Sequence, residues 1–284
     1  MNNQNIVSRT ERYHIALPVP FIVEQTPPEL KFEEYISSFS KILIFSSHLD
    51  DAVLSMGSLL AYLGSLNKNI EVINIFTEGS VYQSPFNEKL LLQARTSTAA
   101  NYFQSRRNED KKAIETFGKI HIKNLGLIDA AWRTDSDSNL FYAQSIIGDI
   151  KPEDKEIIKK LESILSNIKC NTPDALIFAP LARGRHVDHQ IVRNSVSNVF
   201  KNVVHYCDFP YSHKYQNEDQ FIADYALSPV EWHGSYSSKK KAILKYKSQK
   251  VSLFHPHIMQ LVYETFYLNR KEIDVMYDYY SYSR

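Results

Sequence analysis

Two stretches of this chain follow one pattern, and together they leave few folds open. Residues 41–66, KILIFSSHLDDAVLSMGSLLAYLGSL, open on the apolar run Ile42-Leu43-Ile44-Phe45. The run is short, contains β-branched residues and is bounded by Ser46 and Ser47, which predicts a buried strand. The stretch closes on Val53, Met56, Leu60 and Leu63 at helical spacing. Ala175 to Phe200 repeats the arrangement. Ala175-Leu176-Ile177-Phe178-Ala179 predicts a strand, a loop begins at Pro180, and Val192, Val196, Val199 and Phe200 share one helical face. Strand and helix alternate from residue 41 to 210. This predicts an α/β fold, Rossmann-like, with a mostly parallel sheet and helices on both faces in a single domain.

Both polar turns carry the same residue types. His48, Asp50 and Asp51 follow the first strand; His186, Asp188 and His189 follow the second. Open α/β sheets place their ligands at the carboxyl ends of strands. One Asp is enough to cap a helix. Two adjacent Asp residues and a His exceed that role, because neighbouring like charges are costly without a compensating cation. Imidazole and carboxylate form the ligand set of a catalytic zinc, which keeps three protein ligands and an open position. Asp188 reads equally well as a helix cap.

These residues resemble the LmbE-like, or PIG-L, family of zinc-dependent N-deacetylases. The usual first motif of that family is His-Pro-Asp-Asp-Glu. This chain is similar to the branch written Pro-His-Leu-Asp-Asp-Ala, with Ser47 in place of the first Pro. His186-Val187-Asp188-His189 matches the second motif. Thr77 to Gly79, Leu125-Gly126-Leu127, Tyr206 to Tyr211 and Tyr246 to Gln249 support the resemblance, which runs from about Lys41 to Phe266. It implies that His48, Asp51 and His189 hold Zn²⁺, with Fe²⁺ the other ion that suits these ligands. It implies hydrolysis by metal-bound water with Asp50 as general base. His186 would serve as a protonated imidazole at the oxyanion, oriented by Asp188.

The family also implies substrate contacts by an Arg near Arg107 and by Asp129. Asp129 reads equally as a turn-former, and most charges around Arg107 as a solvated face. The implied substrate is a small N-acylated, most plausibly N-acetylated, amino sugar or glycoconjugate. One departure bears on the chemistry. Some members place a Tyr two residues before the first His of the second motif, where this chain has Gly184. Two other readings stay open: a catalytically silent carbohydrate-binding relative, and a metal hydrolase acting on another ester or amide.

Composition narrows the partners. A net charge of +1 over 284 residues gives no global attraction for nucleic acid. No apolar run suits a signal peptide or a membrane span. The two cysteines, Cys170 and Cys207, fit reduced thiols, so a cytoplasmic location is expected. An oligomer is left open. Residues 1–34 contain Pro18, Pro20, Pro27 and Pro28 and read as an N-terminal arm, which leaves 35–284 as the deacetylase domain. Further helices are expected over 88–103, 107–117, 155–168 and 238–254, the last carrying six lysines. Further strands are expected over 70–76, 119–124 and 203–207. Glu264 and Phe266 are expected in a final helix, with Tyr277, Tyr279, Tyr280 and Tyr282 in packing roles beyond it.

Overall fold

In a computed structural model the two strands that carry the His/Asp clusters lie side by side. The structure describes residues 28–66, 68–135, 137–211, 219–249, 263–269 and 271. The arm before residue 28, the end of the expected basic helix and the late tyrosines lie outside these. The strands are β1 (Lys41–Ser46), β2 (Asn69–Glu78), β3 (His121–Ile128), β4 (Leu176–Pro180), β5 (Val203–Tyr206), β6 (Leu227–Trp232) and β7 (Glu264–Asn269). They form one seven-stranded sheet in the order β3-β2-β1-β4-β5-β7-β6. The first five run parallel, and β7 is antiparallel to both β5 and β6. From β1 the chain steps outward through β2 and β3, then returns to β4 on the other side. The switch point between β1 and β4 is where such sheets bind their ligands.

The helices are α1 (Pro28–Ser37), α2 (Asp51–Ser65), α3 (Pro85–Gln93), α4 (Ala99–Ile114), α5 (Lys155–Asn171), α6 (Val187–Val199), α7 (Asp219–Asp224) and α8 (Tyr236–Ile243). They cover both faces of the sheet. Ile42 and Ile44 pack with Val53 and Leu60 of α2 and with Phe32 and Ile36 of α1. Leu43 and Phe45 pack on the opposite face with Leu161 and Leu165 of α5 and Val192 and Val196 of α6. Burial on both faces explains why β1 is apolar throughout rather than alternating. None of the described helices is long and apolar enough to cross a membrane. Helix α1 begins inside the segment read as an arm, and Phe32 is fully buried in the core.

Four expected elements differ. The helices expected over 88–103 and 107–117 are instead α3 and α4, begun by the side-chain caps Ser84 and Thr98. Arg95, at φ 56°, takes the left-handed region between them. The expected basic helix stops at Ile243, and a 3₁₀ turn follows at Lys247–Gln249. Glu264 and Phe266 lie in a strand, where Glu264, Phe266 and Leu268 face inward and their neighbours are half-buried.

Glu264 is buried for a reason outside its own strand. Helix α2 breaks at Met56, where φ is −138° and ψ is 27°. Just past the break, Ser58 N–H and Leu59 N–H donate to the two Glu264 carboxylate oxygens at 2.9 and 3.0 Å. Lys239 of α8, also buried, completes the pair at 2.8 Å. So one lysine of the basic segment belongs to the interior. Lys239→Met strands the Glu264 charge and is expected to cost about 3–5 kcal/mol in urea unfolding. A loss under about 1 kcal/mol would show that the two backbone donors alone satisfy the carboxylate.

Candidate active site

Ser46 and Asp51 tie the turn after β1. Ser46 Oγ donates to His48 O at 2.7 Å and accepts from Ala52 N–H at 3.1 Å. Asp50 stands at the N-cap position of α2 but makes no side-chain cap bond, and its φ is 148°. Such a backbone is rare and strained for a residue other than glycine. The strain turns the Asp50 carboxylate to Arg106 of α4, whose Nη2 donates to Asp50 Oδ1 and to Leu49 O, each at 3.1 Å. Asp51 accepts from the His48 backbone N–H through Oδ2 at 2.9 Å. Capping therefore accounts for neither aspartate.

The loop after β4 holds Ala182, Gly184 and Arg185 at positive φ. His186 then caps α6 itself: its Nδ1 accepts from Asp188 N–H at 3.2 Å. An accepting Nδ1 places the proton of the neutral ring on Nε2. His189, one turn into the helix, meets Asp208 just beyond β5, with Nδ1 and Oδ1 2.6 Å apart.

These elements bring three ligand atoms into a near-equilateral triangle. His48 Nδ1 lies 3.1 Å from Asp51 Oδ2, His189 Nε2 lies 3.2 Å from the same oxygen, and the two nitrogens are 3.3 Å apart. Tetrahedral zinc with bonds near 2.0–2.1 Å sets its ligand atoms about 3.3 Å apart. The outward nitrogens are also fixed: His48 Nε2 meets Asp188 Oδ2 at 2.9 Å, and His189 Nδ1 meets Asp208. A carboxylate on the far nitrogen of each imidazole is the usual support of a metal-ligating histidine. His186 is close enough to join His48 and His189 around an ion. Asp129 and Asp188 also gather at His48 Nε2, but Asp188 is already engaged by Arg133.

The charges of these groups suit a cation held among them. Burial opposes a proton on His48, but hydrogen bonds with Asp188 and Asp51 outweigh it and push the pKa up to about 9. His189 is likewise raised, burial being overcome by Asp51 and Asp208. Asp51 is held well below the usual carboxylate range, burial being overcome by the charge and hydrogen bond of His189. Burial lifts Asp50 to about 7 against the pull of Arg106. Burial, with the charges of His48 and His189, keeps His186 well below its ordinary value.

Most of the residues singled out in the sequence converge here, with three corrections. Arg107 does not reach the cluster. Its guanidinium pairs with Glu78 and donates to Thr77 O at 2.9 Å, while Arg106 is the buried arginine at Asp50. Asp188 does not orient the His186 ring. Its carboxylate instead meets His48 Nε2, Ala130 N–H and the Arg133 guanidinium. His186 Nδ1 accepts from Asp188 N–H, and burial with the charges of His48 and His189 disfavours a second proton on its ring, against the protonated imidazole that was expected. Asp129 acts as a turn-former, accepting from Ala131 N–H at 2.9 Å, and its Oδ2 lies 3.6 Å from His48 Nε2.

The sequence reading missed Arg133 and Asp154, and it gave Tyr211, the end of a segment that supports the resemblance, no role of its own. The Tyr211 ring lies 5.5 Å from that of His189 and 6.2 Å from that of His186. It occupies the space above Gly184, where a Cβ would meet its ring and Cβ at 2.8 Å. A side chain at 184 and this placement of Tyr211 exclude one another.

The chain is also similar to known proteins. The family model PIG-L, described as GlcNAc-PI de-N-acetylase, matches residues 43–200. A 2'-N-acetylparomamine deacetylase from Niallia circulans is 22% identical over 232 residues, 75% of this chain and 82% of that protein. The zinc-inhibited form of teicoplanin deacetylase Orf2 superposes with a TM-score of 0.68 at 21% identity, covering 80% of this chain and 97% of that one. The A40926 pseudoaglycone deacetylase Dbv21 gives a TM-score of 0.63 at 20% identity, covering 81% and 96%. The structural likenesses speak for the fold. The family match spans more than half of the chain, from the middle of β1 to the end of α6, and takes in both clusters: the chain belongs to the PIG-L family of N-deacetylases.

Proposed function

We propose that this chain is a zinc-dependent N-deacetylase that removes an acetyl group from an amino sugar or a small glycoconjugate. The triangle of His48 Nδ1, Asp51 Oδ2 and His189 Nε2 carries the reading, since its 3.1–3.3 Å edges suit a tetrahedral ion. Zinc held there supplies a Lewis acid for the acyl carbonyl and a water acidified to a pKa of roughly 7. The relatives named above are, by name, deacetylases of 2'-N-acetylparomamine, teicoplanin and A40926 pseudoaglycone, which supports the substrate class.

The remaining groups divide the proton work. Asp50 is the carboxylate left outside the triangle, and Arg106 fixes its Oδ1. It takes the proton of the attacking water and returns it to the departing amine. His186, neutral and holding its proton on Nε2, donates a hydrogen bond to the oxyanion that forms on the acyl carbonyl. Asp129 contacts a substrate hydroxyl.

The test is acetate release from a panel of N-acetylated amino sugars, with wild type beside His48→Ala. Wild type is expected to hold about one zinc per chain and to deacetylate at least one panel member, and His48→Ala to do neither. Stoichiometric zinc with no release from any member would favour the silent carbohydrate-binding relative. Iron in the freshly purified protein, with activity tracking iron, would replace zinc by Fe²⁺ at the same ligands.

A further inference from the structure

Arg133 and Asp154 lie outside every residue set that the sequence singles out, yet they form the most heavily paired buried ion cluster near the site. Arg133 follows the turn after β3, and its guanidinium lies between the rings of Phe76 and Tyr142, 5.2 and 5.4 Å from their centres. One edge, Nη1, pairs with Asp188 Oδ1. The other edge takes Asp154: Nη2 donates to Oδ2 at 3.1 Å, and Nε lies 2.8 Å from Oδ1. Tyr142 Oη donates to the same Asp154 Oδ2 at 2.7 Å. The side chains of Asp154 and Asp188 are fully buried and that of Arg133 nearly so.

The position of this cluster gives it a consequence for the triangle. Asp188 has two oxygens. Arg133 occupies Oδ1, which turns Oδ2 to His48 Nε2 at 2.9 Å, with Ala130 N–H donating to the same oxygen at 2.9 Å. A carboxylate oxygen held as an acceptor there keeps the ring proton of His48 on Nε2 and the lone pair on Nδ1. Nδ1 is the atom that faces Asp51 and His189.

Arg133 and Asp154 also bracket the irregular stretch between β3 and α5. Phe141 N–H donates to Arg133 O at 2.9 Å, and Lys151 N–H donates to Tyr142 Oη at 2.9 Å. Farther along, Val187 N–H donates to Ile146 O, and Gly148 N–H donates to Arg185 O, both at 3.0 Å. The loop is thus tied at its stem to Arg133 and along its length to the backbone that carries His186.

We infer that Arg133 is a positioning residue for the metal ligand His48, acting through Asp188, and that Asp154 holds it there across the stem of the 134–153 loop. This rests on the zinc reading of the triangle. An arginine suits the task because its planar fork meets two carboxylates at once, which a lysine ammonium does not.

The test measures zinc affinity by chelator competition, and the visible spectrum of the Co²⁺-substituted protein, for wild type, His48→Ala, Arg133→Met, Arg133→Lys and Asp154→Asn. Circular dichroism confirms folding of each metal-free protein. Arg133→Met is expected to bind zinc about 10–100-fold more weakly and to alter the Co²⁺ spectrum. Arg133→Lys should recover only part of this, and Asp154→Asn should lose affinity in the same direction but less. If Arg133→Met does not fold, the lysine and Asp154→Asn variants carry the test. A merely structural cluster would lower metal-free stability while leaving zinc affinity and the spectrum of the folded protein unchanged, which overturns the inference. Zinc bound by wild type but not by His48→Ala, with all Arg133 and Asp154 variants equal to wild type, overturns it while sparing the metal site. No zinc on wild type overturns both.

Discussion

Replacing Asp50 with Asn is expected to lower kcat/KM by about 10²–10⁴-fold while zinc stays bound. The two halves of this expectation have separate origins. Zinc is retained because the triangle is built from His48, Asp51 and His189, none of which depends on the Asp50 carboxylate. Activity is lost because an amide neither takes a proton from water nor returns it to the amine. Burial pushes the Asp50 pKa up to about 7, against the opposing charge of Arg106, so the group exchanges protons near neutral pH. The working form is the carboxylate, so activity falls as pH drops below about 7, and a dication beside Asp50 moves that fall to lower pH. The measurement is acetate release and metal content on matched samples. An Asn variant that keeps more than a tenth of wild-type kcat/KM would assign the proton work elsewhere. An Asn variant that loses its zinc would put Asp50 among the ligands.

What the sequence made legible was what is local. The strand, turn and helix around His48 lie within one stretch, and so do those around His189. Switches of hydrophobic period and residue identity mark both. Two of the three triangle edges still join residues from different stretches. The family resemblance joined these residues in advance; neither stretch alone shows that β1 and β4 are neighbours. Where a contact had no local signature, the reading went astray. Arg106 and Arg107 are adjacent, and helical phase alone separates them. Counted along α4 from Tyr102 and Phe103, Arg106 falls on the buried face. A helix taken to begin at 107 gives no phase to count. The alternation of Glu264, Phe266 and Leu268 was masked because a glutamate seldom lies on an inward face. It does so here because Lys239 and the break in α2 supply its partners. A histidine cap is outside the usual set, so Asp188 looked like the cap of α6 when His186 fills that place. Arg133 is separated from Asp188 by 55 residues of sequence, and no periodicity connects them.

Zinc binding is expected to release protons and to strengthen with pH, in the opposite sense to the stability of the metal-free protein. Without a metal, the acids around the triangle attract protons onto its imidazoles. Burial works against the charge, yet Asp188 and Asp51 raise His48 to about 9, and Asp51 and Asp208 raise His189 as well. A protonated imidazole has no lone pair to give, so an ion must displace the protons that stand in its place. Apparent zinc affinity should therefore rise about tenfold per pH unit for each proton displaced, up to about pH 9 for the proton on His48. For the metal-free chain the sign reverses. His48 has a folded pKa above its unfolded value of 6.5, so its contribution to stability is fully present below that value. The contribution is lost as pH rises through about 9. The gap in melting temperature between zinc-loaded and chelator-treated protein should widen steadily between those limits. Thermal unfolding across that range, with proton release followed in an indicator dye during zinc titration, measures both effects. A gap that does not change with pH, with no protons released, would mean that the imidazoles are already neutral. The carboxylates on their far nitrogens would then orient the rings without charging them.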